Sequence, residues 1–396
     1  MFIFVMQVLL GLRVMWRMIR TSGGKRITPA SHNVEGGIEE AQSSNLPMRK
    51  DAVLAHEHVS ILVPALNERA RLQQCLDGLT EQGAEVAEII VVDGGSIDGT
   101  QEFVCSYIQR DQRICLVDAS PIPPDWNGKA WGLQAGLRAT RPDSNWILTI
   151  DADVHPKAPL TRSLLAHAKK ERVDALSVAT LQEIDGIGAG LLHPALLTTL
   201  IYRFGMPGNV FQRANEAQAN GQCFLFRRDV LEQIDGFQGV RHSLCEDVTI
   251  ARMLVASGYR VGFYEAEGLV SVKMYTNWRD MWRNWTRSLP MHDRYAGLHT
   301  ITGLLEVGFV QALPIPLVFF LATMHMKRSW FMLFNIILSA TRIGVLVGTM
   351  RVYQQRTWTY WLSPLCDVPV AVKLARSAIQ RRHTWRGRIL VRGGMS

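Results

Sequence analysis

The apolar run Trp146-Ile147-Leu148-Thr149-Ile150 stops at Asp151-Ala152-Asp153, and this junction constrains the fold more than any other stretch of the chain. A short, unbroken apolar run suits a parallel strand covered on both faces, and ligands of such sheets bind beyond the carboxyl ends of the strands. Two carboxylates at that point can hold a divalent cation. An isolated acidic pair after a strand is more often only a turn. Here the pair belongs to a series.

Val59-Ser60-Ile61-Leu62-Val63 is another apolar run, ended by Pro64, and Asn67-Glu68-Arg69 leads into a helical pattern through Leu72, Leu76 and Leu79. A further strand, Ile89 to Val92, ends at Asp93 and is followed by Gly94, Gly95, Ser96, Asp98, Gly99 and Thr100. Glycine there lets the backbone approach a ligand, and Asp93 can accept hydrogen bonds from a base or sugar. A strand near Ile114 to Val117 precedes a proline-rich loop, and Gly128-Lys129-Ala130 opens a helix that carries Gly132 and Gly136. This alternation, from about residue 58 to 250, predicts right-handed crossovers and a mainly parallel α/β sheet whose strand exits converge on one edge. Gly94-Gly95 alone is a turn, Lys129 alone a solvated helix-start lysine, and Glu68 alone a first-turn acid. Glu68, Asp93, Lys129 and the Asp151/Asp153 pair at successive strand exits point together to one binding crevice.

In order and spacing, VPALNE (63–68), VVDGGSIDGT (91–100), GKAWGLQAG (128–136) and DAD (151–153) resemble the inverting family 2 glycosyltransferases, whose GT-A fold is a Rossmann-like sheet. The resemblance runs from about Ser60 to Tyr275 and implies transfer of a sugar from a UDP- or GDP-sugar with Mg²⁺ or Mn²⁺ as cofactor. It implies that Ala65, Glu68 and Asp93 contact the nucleoside, Lys129 the base or phosphate region, Asp151 the ribose, and Asp153 the metal. Glu246-Asp247, in SLCEDVTIAR, stands where the family has its ED motif, with Asp247 as catalytic base. The same pair also reads as acids in the first turn of a helix. WRNWTR (282–287) replaces the family's QxxRW-type motif, which weakens a processive polymer-synthase reading. With KMY before it, SPLCD (363–367) and WRGR (385–388), that block resembles the subgroup acting on membrane lipids: carotenoid, hopanoid-associated and ceramide-type enzymes, with carotenoid 2-O-glycosyltransferases nearest. A non-catalytic membrane scaffold retaining the fold is the rival, opposed by the presence of both Asp153 and Asp247.

At 396 residues and 47% hydrophobic content the chain exceeds one ordinary domain. Residues 1–20 read as a membrane anchor, with Arg13, Arg17 and Arg20 on its inner flank, or as an interfacial helix. Residues 21–57 are polar and rich in Gly, Ser and Glu, which predicts a flexible linker before a catalytic domain at 58–273. Across 274–302, Trp278, Trp282 and Trp285 recur at helical spacing with Arg279, Arg283 and Arg287 one residue later, an amphipathic stripe suited to a lipid interface or an acceptor. Core tryptophans are the alternative reading.

Residues 303–350 predict two transmembrane helices, Val307–Met324 and Trp330–Met350, joined at Lys327-Arg328. Residues 351–396 predict a re-entrant or surface segment, Trp358–Leu374, and a tail bearing Arg376, Arg381, Arg382, Arg386, Arg388 and Arg392. Two crossings leave the catalytic domain and that tail on the cytoplasmic side of the inner membrane. The apolar stretch Ile187–Phe204 is expected to form a lipid-surface or acceptor-groove helix, because a crossing there would split the site. The net charge of +8 gathers beside apolar segments without a nucleic-acid recognition motif, which favours an anionic lipid surface as partner. Six cysteines without paired spacing argue against a zinc site or a disulfide framework.

Overall fold

The structure, a computed structural model, describes residues 1–30, 57–288, 293–324 and 329–380 and the backbone of 382–385 and 388–391. Helix α1 (Phe2–Ser22) comes first; the sheet then begins with β1 (Val59–Ala65), α2 (Leu72–Thr80), β2 (Val86–Asp93), α3 (Thr100–Ile108), β3 (Ile114–Asp118), α4 (Gly128–Ala139) and β4 (Trp146–Ile150). β1 lies parallel between β2 and β4, and β2 lies parallel to β3. Ala65, Asp93 and Asp118 share one register row, so these strands end along one edge. Glycine sets the helix–sheet spacing: a Cβ on Gly136 of α4 would sit 2.7 Å from Val92 and 3.2 Å from Leu62.

The next elements are β5 (Val154–Pro156), α5 (Leu160–Glu171), β6 (Ala175–Ala179), β7 (Leu181–Gln182), α6 (Gly186–Phe204), β8 (Asn209–Val210), β9 (Cys223–Arg227), α7 (Arg228–Gln233), α8 (Glu246–Ala256), β10 (Val261–Glu265) and β11 (Val270–Val272). The main sheet runs β3-β2-β1-β4-β9-β6-β10-β8. β9 enters it antiparallel between β4 and β6, with Cys223 opposite Ile150. That register sets Gly221 and Gln222 beside Asp151, whose N–H donates to the Gln222 carbonyl at 3.2 Å. A small sheet, β5-β11-β7, flanks the loop after β4.

After the sheet come α9 (Trp278–Ser288), α10 (His299–Glu306), a π-helical turn (Val307–Ala312), α11 (Pro314–Thr323), α12 (Trp330–Thr349), a 3₁₀ helix (Trp358–Cys366) and α13 (Asp367–Ile379). Val307–Met324 is therefore broken rather than straight. The helices on either side bend by 43°, because Pro314 and Pro316 have no N–H with which to continue the ladder. By length and composition, α1, α6 and α12 (extended to Val352) could each cross a membrane, and the bent pair could count as a fourth span. α6 is largely enclosed by protein, whereas α1 and α12 keep much of their surface outside. Buried ion pairs join helices of this layer. Arg342 of α12 meets Asp367 of α13 at 2.8 Å, and Arg17 of α1 meets Glu306 of α10 at 2.9 Å.

Two sequence expectations change here. The polar stretch after α1 is not all linker: Ile27 is fully buried, its N–H donates to Glu265 O at 2.9 Å, and Lys25 N–H donates to Gly208 O at 2.9 Å. An apolar side chain with a vacant place at the sheet edge docks despite its polar neighbours. The tryptophan stripe of α9 is also turned inward. Trp282 and Trp285 pack against the core formed by α6 and its neighbours, the Trp285 ring lies 4.5 Å from His193, and Lys373 sits over Trp282. Burying large aromatic area outweighs leaving it at a surface, and only Trp278 is markedly exposed. Residues 31–56, Lys327-Arg328, and Arg381, Arg386 and Arg392 of the tail lie outside the described residues.

Candidate active site

The exits of β1, β2 and β4 and the starts of α4 and α8 surround a cavity of about 1100 Å³. Lys129, in the first turn of α4, reaches Asp151 Oδ1 at 2.7 Å and Glu246 Oε1 at 2.9 Å. Burial alone would lower its pKa, yet Asp151, Glu246 and Asp247 hold it well above the usual lysine range. It is an ammonium joining the exit of β4 to the start of α8.

Asp247 lies in the first turn of α8, where N–H groups favour a carboxylate. Its Oδ2 accepts from Gly221 N–H at 2.7 Å and its Oδ1 from Val248 N–H at 2.8 Å. Burial and the neighbouring Glu246 push its carboxyl up to about 6, against the opposing pull of Lys129 and those two amides. An acid poised there is ionised at neutral pH yet basic enough to take a proton. Gly221 is needed for the contact: a Cβ there would lie 2.8 Å from Lys129 Nζ and 3.2 Å from Asp247 Cβ.

On the opposite flank, burial, Asp151 and Glu68 push the Asp153 carboxyl up to about 7. Its ion-pair partner is Arg71, at 4.0 Å. Such a cluster of acids fits a cation. Among the described residues no group of three or more His, Cys, Asp or Glu forms a complete metal site. Mg²⁺ and Mn²⁺ suit this arrangement, since Mg²⁺ commonly takes one or two carboxylates and completes its shell with substrate phosphates and water.

Ala65, Glu68, Lys129, Asp151 and Asp153 all line the cavity, as do Glu246, Asp247, Arg283 and Trp285. Ala65 also accepts from Gly94 N–H at 2.9 Å, tying the first two strand exits together. Asp93 lies behind the cavity lining. It is fully buried, and its Oδ2 accepts from the N–H groups of Gly95 (3.0 Å) and Ser96 (2.9 Å) and from Gln101 Nε2 (2.7 Å). Its carboxylate holds the glycine loop in place at the exit of β2. Trp282 belongs to the core described above.

Sequence reasoning missed Arg71 and the segment 218–222. In the latter, Gln222 Oε1 accepts from Thr180 Oγ1 at 2.6 Å and from Asn220 Nδ2 at 2.9 Å, which fixes the turn that presents Gly221. The available signal was a small polar run, Asn220-Gly221-Gln222, directly before an apolar strand.

Residues 60–235 match the family described as Glycosyl transferase family 2. Over this part the chain resembles a family 2 glycosyltransferase domain, and its mainly parallel sheet has the GT-A fold. Probable glycosyltransferase YdaM of Bacillus subtilis is 24% identical over 258 residues, covering 64% of this chain and 60% of the relative. A 4,4'-diaponeurosporenoate glycosyltransferase of Staphylococcus haemolyticus is 21% identical, covering 59% of this chain and 61% of the relative. The chain thus matches about 60% of the length of these curated relatives. In fold it is similar to the mannosyltransferase PcManGT of Pyrobaculum calidifontis, solved with GDP-Man and Mn²⁺. The TM-score is 0.52 at 14% identity, covering 95% of this chain and 98% of that one.

Proposed function

We propose that this chain moves a sugar from a nucleoside diphosphate to a hydroxyl of a membrane lipid, with inversion at the anomeric carbon. One observation carries the reading. A single cavity has Asp151 and Asp153 on one wall, Asp247 on another, and Leu197, Leu200 and Ile201 of α6 along an apolar flank. Ala65 and Glu68 bind the nucleoside side of the donor, and Lys129 and Asp151 hold its ribose–phosphate part. Asp153 would hold Mg²⁺ or Mn²⁺, which when bound offsets the negative charge of the diphosphate. Asp247 accepts the proton of the incoming hydroxyl as the oxygen bonds to the anomeric carbon. The bond from that carbon to the phosphate oxygen breaks on the opposite face, and the nucleoside diphosphate leaves with the electron pair. A single base and a single displacement give inversion.

The apolar flank and the outward faces of α1 and α12 support a lipid acceptor and a site at the cytoplasmic face of a membrane. Relatives named for 4,4'-diaponeurosporenoate support a carotenoid. Deleting the gene in its host and analysing extracted lipids and pigments by mass spectrometry tests this. We expect a glycosylated carotenoid to disappear and its aglycone to accumulate. An accumulating hopanoid or ceramide would reassign the acceptor, and an unchanged profile would contradict the proposal.

A further inference from the structure

Resting on that reading, we propose that the apolar part of a lipid acceptor reaches Asp247 sideways from the bilayer, through a door between Met206 at the exit of α6 and Gly348 near the end of α12. Within one residue α12 passes from the outer surface to the cavity wall: Val347 is 56% exposed, whereas Gly348, Thr349 and Val352 line the cavity. On the other side Met206 lines the same cavity. Its N–H donates to Thr21 Oγ1 of α1 at 3.0 Å, so the backbone of the door is fixed while its side chain can swing. Leu197, Ile201 and Met206 pack with Leu10 and Val14 of α1 and Leu338 and Val345 of α12, so the apolar flank of the cavity is continuous with the helices that face outward. Trp16 and Ile19 of α1, each 67% exposed, continue that outer surface.

The two sides of the door lie close together. A Cβ at Gly348 would lie 3.5 Å from the Met206 methyl, an ordinary contact, so a small residue fits there while a bulky one would press on Met206. An apolar chain passes when Met206 swings aside.

The test uses the full chain with radiolabelled UDP-glucose or GDP-mannose, whichever it hydrolyses, and vesicles of total host lipid extract. The readout is the ratio of lipid labelling to donor hydrolysis. Gly348→Phe is expected to lower that ratio at least about tenfold, and adding Met206→Ala to restore most of it, which a general folding defect would not allow. An unchanged ratio in Gly348→Phe, or a loss that Met206→Ala does not relieve, would overturn the door. A wild-type chain that labels no lipid would instead contradict the proposed function.

Discussion

Lys129 stands between two acidic walls, and the chemistry of the site follows from how one ammonium is shared among Asp151, Glu246 and Asp247. As the proposed base, Asp247 acts only when ionised. With its carboxyl pushed up to about 6, kcat/KM should rise with pH through that value and level off above it, a limb that initial rates between about pH 5 and 8 will show. The stability sign is opposite. A raised carboxyl pKa favours the folded state below the ordinary carboxylate range, and that contribution is lost as pH rises through about 6. Lys129→Met removes the cation that opposes the rise, so the rate limb should move to higher pH; an unmoved limb in the same assay would deny the coupling. The acids at strand exits and at the start of α8 were legible, since apolar runs and a helix start announce their positions. Which way each carboxylate turns was not. Asp93 and Asp151 both follow apolar runs, and only the loop amides of Gly95 and Ser96 decide that the former turns inward.

Glycine and proline set the geometry of the elements that carry the site. A side chain on Gly78 of α2 would run into the Pro156 carbonyl of β5, the strand that follows Asp153. Gly78→Ala should therefore cost about 1–3 kcal/mol by overpacking and reduce metal-dependent activity by shifting the Asp153 loop. Thermal unfolding and Mn²⁺ titration of the rate measure the two effects. Buried charge pairs fix the outer helices. Asp367→Asn leaves Arg342 without its partner and should destabilise by about 3–5 kcal/mol, while Leu at both positions should cost much less; a double-mutant cycle in thermal unfolding distinguishes them. The parallel half of the sheet was readable because β1, β2 and β4 are continuous apolar runs. β9 was not, since Cys223–Arg227 has the same character and only its partners make it antiparallel. The docking of Ile27 and the inward turn of Trp282 and Trp285 likewise depend on surfaces supplied by residues far away in sequence.

The whole molecule places a polar crevice and an apolar flank in one cavity, beside helices whose outer faces are hydrophobic. α6 divides these two environments, which explains why its composition suits a membrane span although protein encloses most of it. Hydropathy marks α1, α6 and α12 alike, whereas the position of α6 between Asp153 and Asp247 sets it apart, and protein encloses most of it while α1 and α12 keep much of their surface outside. The central claim is that Asp247 takes the proton of a lipid hydroxyl in that shared cavity. Its most direct test is sugar transfer into vesicles of host lipid by the wild-type chain and by Asp247→Asn, with donor affinity measured alongside. The account predicts transfer slower by about 10²–10⁴-fold in the variant with donor Kd essentially unchanged. Labelling of lipid by Asp247→Asn at the wild-type rate would contradict it.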